Sequence, residues 1–350
     1  MRKPRLLGLL CSATAVGLLA GCVPAPEPSP TPTPTSAPSE PEPPAAPTPA
    51  LAVPCLDLLS LEEVQAVVSA PVEVLVDEGT TFRGVPLITA AQAGALRCVW
   101  AGERRTDARY DEGLEVSLLP RAADDFPGAE AAAYAVLPAI TEPAPGYLHC
   151  DSYSALCRAE LLVADYWLSA TFSDAGRDPA DAAAHGRAAM TALLTALVQR
   201  IEAAPAAAPA WVPSGTGSPI CATARDAAAD WGLDPAAFEE FVHVEGDPGS
   251  VAEGRVQVER CAWGGVRLAR VPGGAWAFDG IRQGVGESPG GEIVMADVPG
   301  LGQAPLVCDD GCTVWFVRDG DLVEVIDYSK FGGDEQAMID FVATVAADLA

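Results

Sequence analysis

Ten cysteines and three histidines hold most of the reactive side-chain chemistry of this 350-residue chain. Cys11 and Cys22 lie near the N-terminus, and the other eight fall into two sets of four: Cys55, Cys98, Cys150 and Cys157, then Cys221, Cys261, Cys308 and Cys312. Successive separations are 43, 52 and 7 residues in the first set and 40, 47 and 4 in the second. An even number of cysteines in a repeating frame points to disulfides if the chain is exported, and four per set allow three connectivities. Pairing first with second and third with fourth is favoured: Cys55 with Cys98, Cys150 with Cys157, Cys221 with Cys261 and Cys308 with Cys312. In the chain-entropy model the long loops are worth about 4 kcal/mol each and the short ones about 2 kcal/mol. Thiol redox chemistry is the alternative use of Cys308 and Cys312. However, Asp309 and Asp310 between them disfavour a thiolate, and the first set spaces its pair differently, as C-x6-C. Zinc has no footing, since C-x-x-C spacing is missing and no histidine lies close in sequence to the second set.

Other chemistries are weaker still. His149 adjoins Cys150, an arrangement that could activate a thiol, but Cys150 has a disulfide partner in Cys157. His185 falls in a helical stretch and His243 after one, where surface roles are usual. There is no G-x-S-x-G elbow, and the glycine-rich stretch Gly284 to Gly291 lacks the lysine of a phosphate loop. Glu239-Glu240, Asp124-Asp125 and Asp309-Asp310 are paired carboxylates, which in so acidic a chain read as solvated faces rather than glycosidase or calcium sites. Trp100 and Trp263 are repeated aromatics beside half-cystines, a position that packs an indole over the disulfide in a core. No catalytic residue, metal or cofactor is assigned, and binding residues are not identified.

The elements that must position these residues are themselves written twice. Arg97-Cys98-Val99-Trp100-Ala101-Gly102 and Arg260-Cys261-Ala262-Trp263-Gly264-Gly265 share the pattern R-C-x-W-x-G, so two tandem copies of one domain are the economical explanation. Each copy opens and closes on a helical stretch. The first opening helix starts at the capping box of Ser60 and Glu63, and the second is expected from Asp234 and Pro235 through Phe238, Phe241 and Val242. The closing helices begin at Asp178-Pro179, with a stripe of Met190, Leu193, Leu194, Leu197 and Ile201, and at Asp334, with Met338, Phe341, Val342 and Val345. Between them Leu114, Val116 and Leu118, and Val256 with Val258, alternate as half-buried strands. Hairpins are expected at Ala159 to Phe172, turning at Ala164-Asp165, and at Thr313 to Tyr328, turning at Asp319-Gly320. Asp310-Gly311 is a second turn signal. The fold class is α+β: two tandem homologous domains, residues 54–203 and 220–350, joined by an Ala/Pro linker over 204–219. Each is an antiparallel sheet flanked by an N-terminal and a C-terminal helix and held by disulfides.

The N-terminus reads as an address. Arg2, Lys3 and Arg5 precede an apolar run from Leu6 to Ala20, too short to span a bilayer and suited to a secretory signal over residues 1–21. It ends in Leu19-Ala20-Gly21-Cys22, which resembles the lipobox of bacterial lipoproteins and makes Cys22 the acylated residue. Residues 22–53 are dominated by Pro, Thr, Ser, Ala and Glu and read as a disordered spacer, able to reach roughly 100 Å in polyproline II form. The net charge is −27, with only Lys3 and Lys330 as lysines. Processing removes three basic residues and no acid, so the mature chain is more acidic still. Nucleic acid and anionic headgroups are thereby excluded as electrostatic partners, and attachment must come from the lipid. The chain has no asparagine and hence no N-glycosylation sequon, whereas the Thr-Pro run from Pro30 to Thr35 could carry O-linked sugar.

Pro54-Cys55-Leu56-Asp57-Leu58-Leu59-Ser60-Leu61-Glu62-Glu63-Val64, followed by Arg97-Cys98-Val99-Trp100, resembles a family of actinobacterial cell-envelope lipoproteins of unknown function. The likeness spans most of 54–203 and more faintly 220–350, where Cys221-Ala222-Thr223-Ala224 replaces the Leu-Leu helix start. Some members are similar to disulfide-bonded sensor domains of envelope Ser/Thr kinases. The resemblance supplies no catalytic residues. It implies a membrane-anchored extracytoplasmic protein, and the expectation is a non-catalytic module that binds or senses an envelope ligand or protein partner. An envelope enzyme without a recognisable motif, or a thiol redox protein, is the alternative. An apolar groove with few titratable groups would favour binding, and a cavity with convergent polar groups would favour an enzyme.

Overall fold

The computed structural model describes residues 45–75, 84–102, 112–126, 138–151, 156–174, 179–204, 220–234, 239–240, 247–283, 293–308, 311–328 and 330–348. All belong to one compact unit, Pro43–Ala350. The signal, Cys22, most of the spacer, His243 and the stretch Gly284 to Gly291 lie outside the described residues, as does nearly all of the linker.

The first copy opens on two short helices, α1 (Cys55–Leu58) and α2 (Leu61–Gln65). Ser60 caps α2 through the expected box: its hydroxyl accepts from the Glu63 N–H, and the Glu63 carboxylate accepts from the Ser60 N–H. There follow β1 (Glu73–Leu75), α3 (Val85–Gln92), β2 (Leu96–Ala101), β3 (Gly113–Pro120), β4 (Ala139–Ile140), β5 (Gly146–Cys150), β6 (Cys157–Val163), β7 (Tyr166–Ser173) and α4 (Pro179–Ala203). The strands form one antiparallel sheet in the order β1-β2-β3-β7-β6-β5-β4.

The second copy comprises α5 (Ile220–Asp230), β8 (Glu239–Glu240), α6 (Pro248–Val256), β9 (Glu259–Trp263) and β10 (Val266–Val271), then α7 (Phe278–Gln283). It closes with β11 (Ile293–Val298), β12 (Gly302–Cys308), β13 (Cys312–Arg318), β14 (Asp321–Asp327) and α8 (Glu335–Asp348). Its sheet runs β8-β9-β10-β14-β13-β12-β11, so every strand of one copy has a counterpart at the same place in the other. The expected hairpins are present: β13 and β14 turn on Asp319 and Gly320, with φ of 52° and 84°, and β6 and β7 turn at Ala164, with φ of 52°.

Two expectations are corrected. The second opening helix is α5, which carries Cys221, and no helix runs from Asp234 through Val242, because Glu239 and Glu240 form a strand; Pro235, Phe238, Phe241 and Val242 lie outside the described residues. Asp-Pro is a local cap signal that also serves in turns, so without a packed face it does not make a helix. Val256 and Val258 do not alternate along a strand either. Val256 ends α6, Gln257 takes a left-handed φ of 59°, and Val258 leads into β9, so a helix stop imitates period two.

Each sheet has one face on a core of its own copy. Cys98, Trp100, Leu114, Val116, Leu118, Leu168 and Phe172 pack under the α4 stripe of Met190, Leu193, Leu194, Leu197 and Ile201. Cys261, Trp263, Val266, Val314, Phe316, Val323 and Val325 pack under Met338, Phe341, Val342 and Val345 of α8. Trp100 and Trp263 are fully buried on the same sheet face as the half-cystines two residues earlier, in the packing role expected of them. Disulfides join Cys55 to Cys98, Cys150 to Cys157, Cys221 to Cys261 and Cys308 to Cys312, all within a copy.

The second faces of the sheets are turned toward the opposite copy. Residues 84–102 match 247–265 without a gap, so α3 and α6 are equivalent helices, ending two residues before the left-handed Gly94 and one residue before the left-handed Gln257. These two helices pack against each other and each reaches the opposite sheet: Val85 and Ile88 of α3 meet Trp315 and Leu322, and Ala252 of α6 meets Leu119 and Trp167. The contact is reciprocal in its hydrogen bonds. Gln92 Nε2 donates to the Pro272 carbonyl at 3.0 Å, and the equivalent Arg255 donates through Nη1 to the equivalent Pro120 carbonyl at 2.6 Å.

Candidate functional site

A groove of about 570 Å³ opens beside α3 on the second face of the first sheet. One wall is the leading segment, with Pro47, Pro49, Val53 and Pro54. The opposite wall is α3 and the turn after it, with Leu87, Ala90, Ala91 and Ala95. Arg97 and Leu96 of β2 and Glu115 and Ser117 of β3 contribute the floor, and Trp276 of the second copy closes one side. Arg97 Nε donates to Glu115 Oε1 at 2.8 Å, so the two ionisable groups among the described lining residues form an ion pair. The volume lies within the roughly 300–1,000 Å³ typical of small-molecule sites, and the mix of apolar wall and few polar groups is their usual chemistry.

The groove exists because of small residues on α3. At the equivalent place in the second copy Ala90 becomes Glu253, whose carboxylate takes Arg260 Nε at 2.8 Å and lies folded against the β9 face. Glu253 is buried there, so this ion pair occupies space between helix and sheet where the first copy has the Ala90 methyl. The floor differs as well: by strand register Glu115 and Ser117 correspond to Arg267 and Ala269.

Two carboxylates among the described residues are raised, and neither lines the groove. Glu160 on β6 accepts from Trp167 Nε1 at 2.7 Å and from the Ser169 hydroxyl at 2.9 Å. Burial pushes its carboxyl up to about 7, against those bonds, which favour the anion; Asp247 at the start of α6 adds to the rise and Arg158 opposes it. Glu324 on β14 is buried and accepts from Trp315 Nε1 at 2.8 Å, and burial raises its carboxyl too. The Val85 N–H at the start of α3 also reaches Glu324, which places this carboxylate at the contact between the copies. A third, Glu63, is pulled down to about 2 chiefly by Arg200, whose Nη2 lies 2.6 Å from Glu63 Oε1 and ties α4 to the capping box.

The remaining candidates from the sequence are dispersed. All eight cysteines of the two copies are in disulfides, which leaves no thiol beside His149; that histidine is exposed on β5. His185 Nε2 meets the Val67 carbonyl at 2.8 Å and Asp174 at 3.5 Å, while Asp174 accepts from the Ser69 N–H and hydroxyl. His185 does not contact Ser69 in the manner of a catalytic triad; it anchors the loop after α2 to the end of β7. Asp125 pairs with Arg255 across the copies at 2.6 Å. Asp309 and Asp310 lie outside the described residues, and the side chains of Glu239 and Glu240 are not described. Among the described residues no three His, Cys, Asp or Glu side chains gather as a metal site, and no helix is long and apolar enough to cross a membrane.

The groove residues of α3 were not singled out by sequence reasoning. The available signal was the R-C-x-W-x-G match extended upstream, where the gap-free alignment sets Ala90 against Glu253 and Arg97 against Arg260. No protein-family model matches the chain, and no curated protein or solved structure matches it.

Proposed function

We propose that the chain is a lipid-anchored extracytoplasmic lipoprotein, acylated at Cys22, whose duplicated domain pair is a non-catalytic binding or sensing module for an envelope ligand. The observation that carries this reading is the groove beside α3: its walls are apolar, the ionisable groups among its described lining residues are the paired Arg97 and Glu115, and the raised carboxylates Glu160 and Glu324 lie elsewhere. An acid or base for catalysis would need to reach a substrate there. Anchoring rests on Leu19-Ala20-Gly21-Cys22 and on a net charge of −27, which offers anionic headgroups nothing.

The test is native mass spectrometry of the chain from Pro43 onward, exported by an actinobacterial host and purified without reducing agent. A retained adduct that is lost on solvent extraction and can be added back is the expected result. An apo mass that neither carries nor takes up any component of the host envelope extract overturns the binding reading. Anchoring is tested separately: Cys22→Ala should move the full chain from the membrane fraction to the medium, and an unchanged membrane fraction overturns it.

A further inference from the structure

The difference between the two copies says what the groove is for. Glu253 and Arg260 occupy space between helix and sheet in the second copy as an ion pair, and the first copy keeps the arginine, Arg97, but replaces the glutamate by Ala90. An opening left by packing alone would not also change the floor. Here the register positions of Arg267 and Ala269 become Glu115 and Ser117, so that Arg97 finds a new partner on β3 and a hydroxyl stands beside the pair. The result is an aliphatic trough whose polar patch, among the described residues, is the Arg97–Glu115 ion pair and the Ser117 hydroxyl, which together donate and accept hydrogen bonds.

Resting on the proposed binding role, we infer that the groove holds a neutral single-chain lipid: one aliphatic chain with an uncharged hydroxylated head, of the monoacylglycerol class. The walls that the chain would meet are proline rings, the Leu87 side chain and alanine methyls, which offer dispersion and burial but no specific aromatic stacking beyond Trp276. The patch at Arg97, Glu115 and Ser117 complements a hydroxylated head, since Arg97 and Ser117 donate while Glu115 accepts. A charged head of either sign would meet the like-charged member of the Arg97–Glu115 pair and would have to compete with that pair, and an anionic head would in addition have to approach a chain of net charge −27.

The probe is a monoacylglycerol with a dibrominated chain, added below its aggregation concentration to the chain from residue 22 onward carrying Cys22→Ser. Bromine quenches indoles on contact, and Trp276 lines the groove. Saturable quenching is expected. It should weaken at least tenfold in Ala90→Glu, which copies the ion pair of the second copy, and in Leu87→Glu, which makes the wall polar, each with an unchanged melting temperature. The same chain as a free fatty acid or an alkyl ammonium should bind at least tenfold more weakly. Quenching that is indifferent to both substitutions, or equal for all three heads, overturns the inference. If the neutral dye Nile red binds and is lost in Ala90→Glu while the monoacylglycerol does not bind, the lipid class is wrong and the binding reading stands. If neither binds, both fall.

Discussion

Glu160 illustrates how one side chain acquires chemistry from its surroundings. In sequence it is one acid among 48 acidic residues, and nothing in Ala159-Glu160-Leu161 distinguishes it. The fold sets it beside Trp167 and Ser169 on the sheet face that looks toward the other copy, and burial lifts its carboxyl from 4.5 to about 7. The folded chain therefore holds this proton more tightly than the unfolded chain does. Its contribution is fully present below about pH 4.5 and is lost as the pH rises through about 7. Glu160→Gln keeps an acceptor for Trp167 Nε1 and has no proton to lose. The variant should match the parent near pH 4 and exceed it at pH 8 by up to about 3 kcal/mol. Urea unfolding of the two proteins across this range measures the difference, and a difference that does not change with pH would refute the assignment.

At the scale of elements, the repeated unit is larger than the motif that reveals it. R-C-x-W-x-G is the end of a helix, left-handed residue and strand that recurs as α3 to β2 and α6 to β9. These helices escaped notice because they are short and weakly patterned: α3 is 8 residues, α6 is 9, and Gly249 and Gly254 dilute the apolar stripe of α6. Both of their faces are used, one on the opposite sheet and one on each other, so no single amphipathic stripe is required. The long closing helices cover one core each and were legible for that reason. Arg255 is a polar tie between the copies, donating to the Pro120 and Arg121 carbonyls and to Asp125. Arg255→Ala strands these acceptors and should cost about 2–3 kcal/mol, read as a lower urea midpoint. A midpoint shift of less than a few tenths of a kcal/mol equivalent would show that the tie is ornamental.

The whole molecule behaves as an intramolecular dimer. No disulfide crosses between the copies, and their association rests on the α3 and α6 pair with the apolar clusters around Trp315, Trp276 and Trp167. The linker therefore limits how far the copies can separate, while the contact itself holds them together. A protease site inserted within 205–219 and cut after folding should leave both halves in one gel-filtration peak without denaturant. Two separate peaks would show that the contact depends on the tether.

Residue order alone determined the duplication, the α+β class, the disulfide frame and the closing helices, because cysteine spacing, the Cys-x-Trp pattern and long apolar stripes are local or periodic signals. The opening helix of the second copy and the strand expected at Val256 and Val258 were misplaced, since cap residues and two-residue alternation recur wherever a chain turns. Tertiary structure alone decided what the second sheet faces do. The groove depends on Ala90 and Arg97 facing Glu115 from another strand, and the elevated carboxyls depend on burial in the folded chain. Such properties arise from the removal of water and the approach of residues distant in sequence, and no spacing within one segment encodes them.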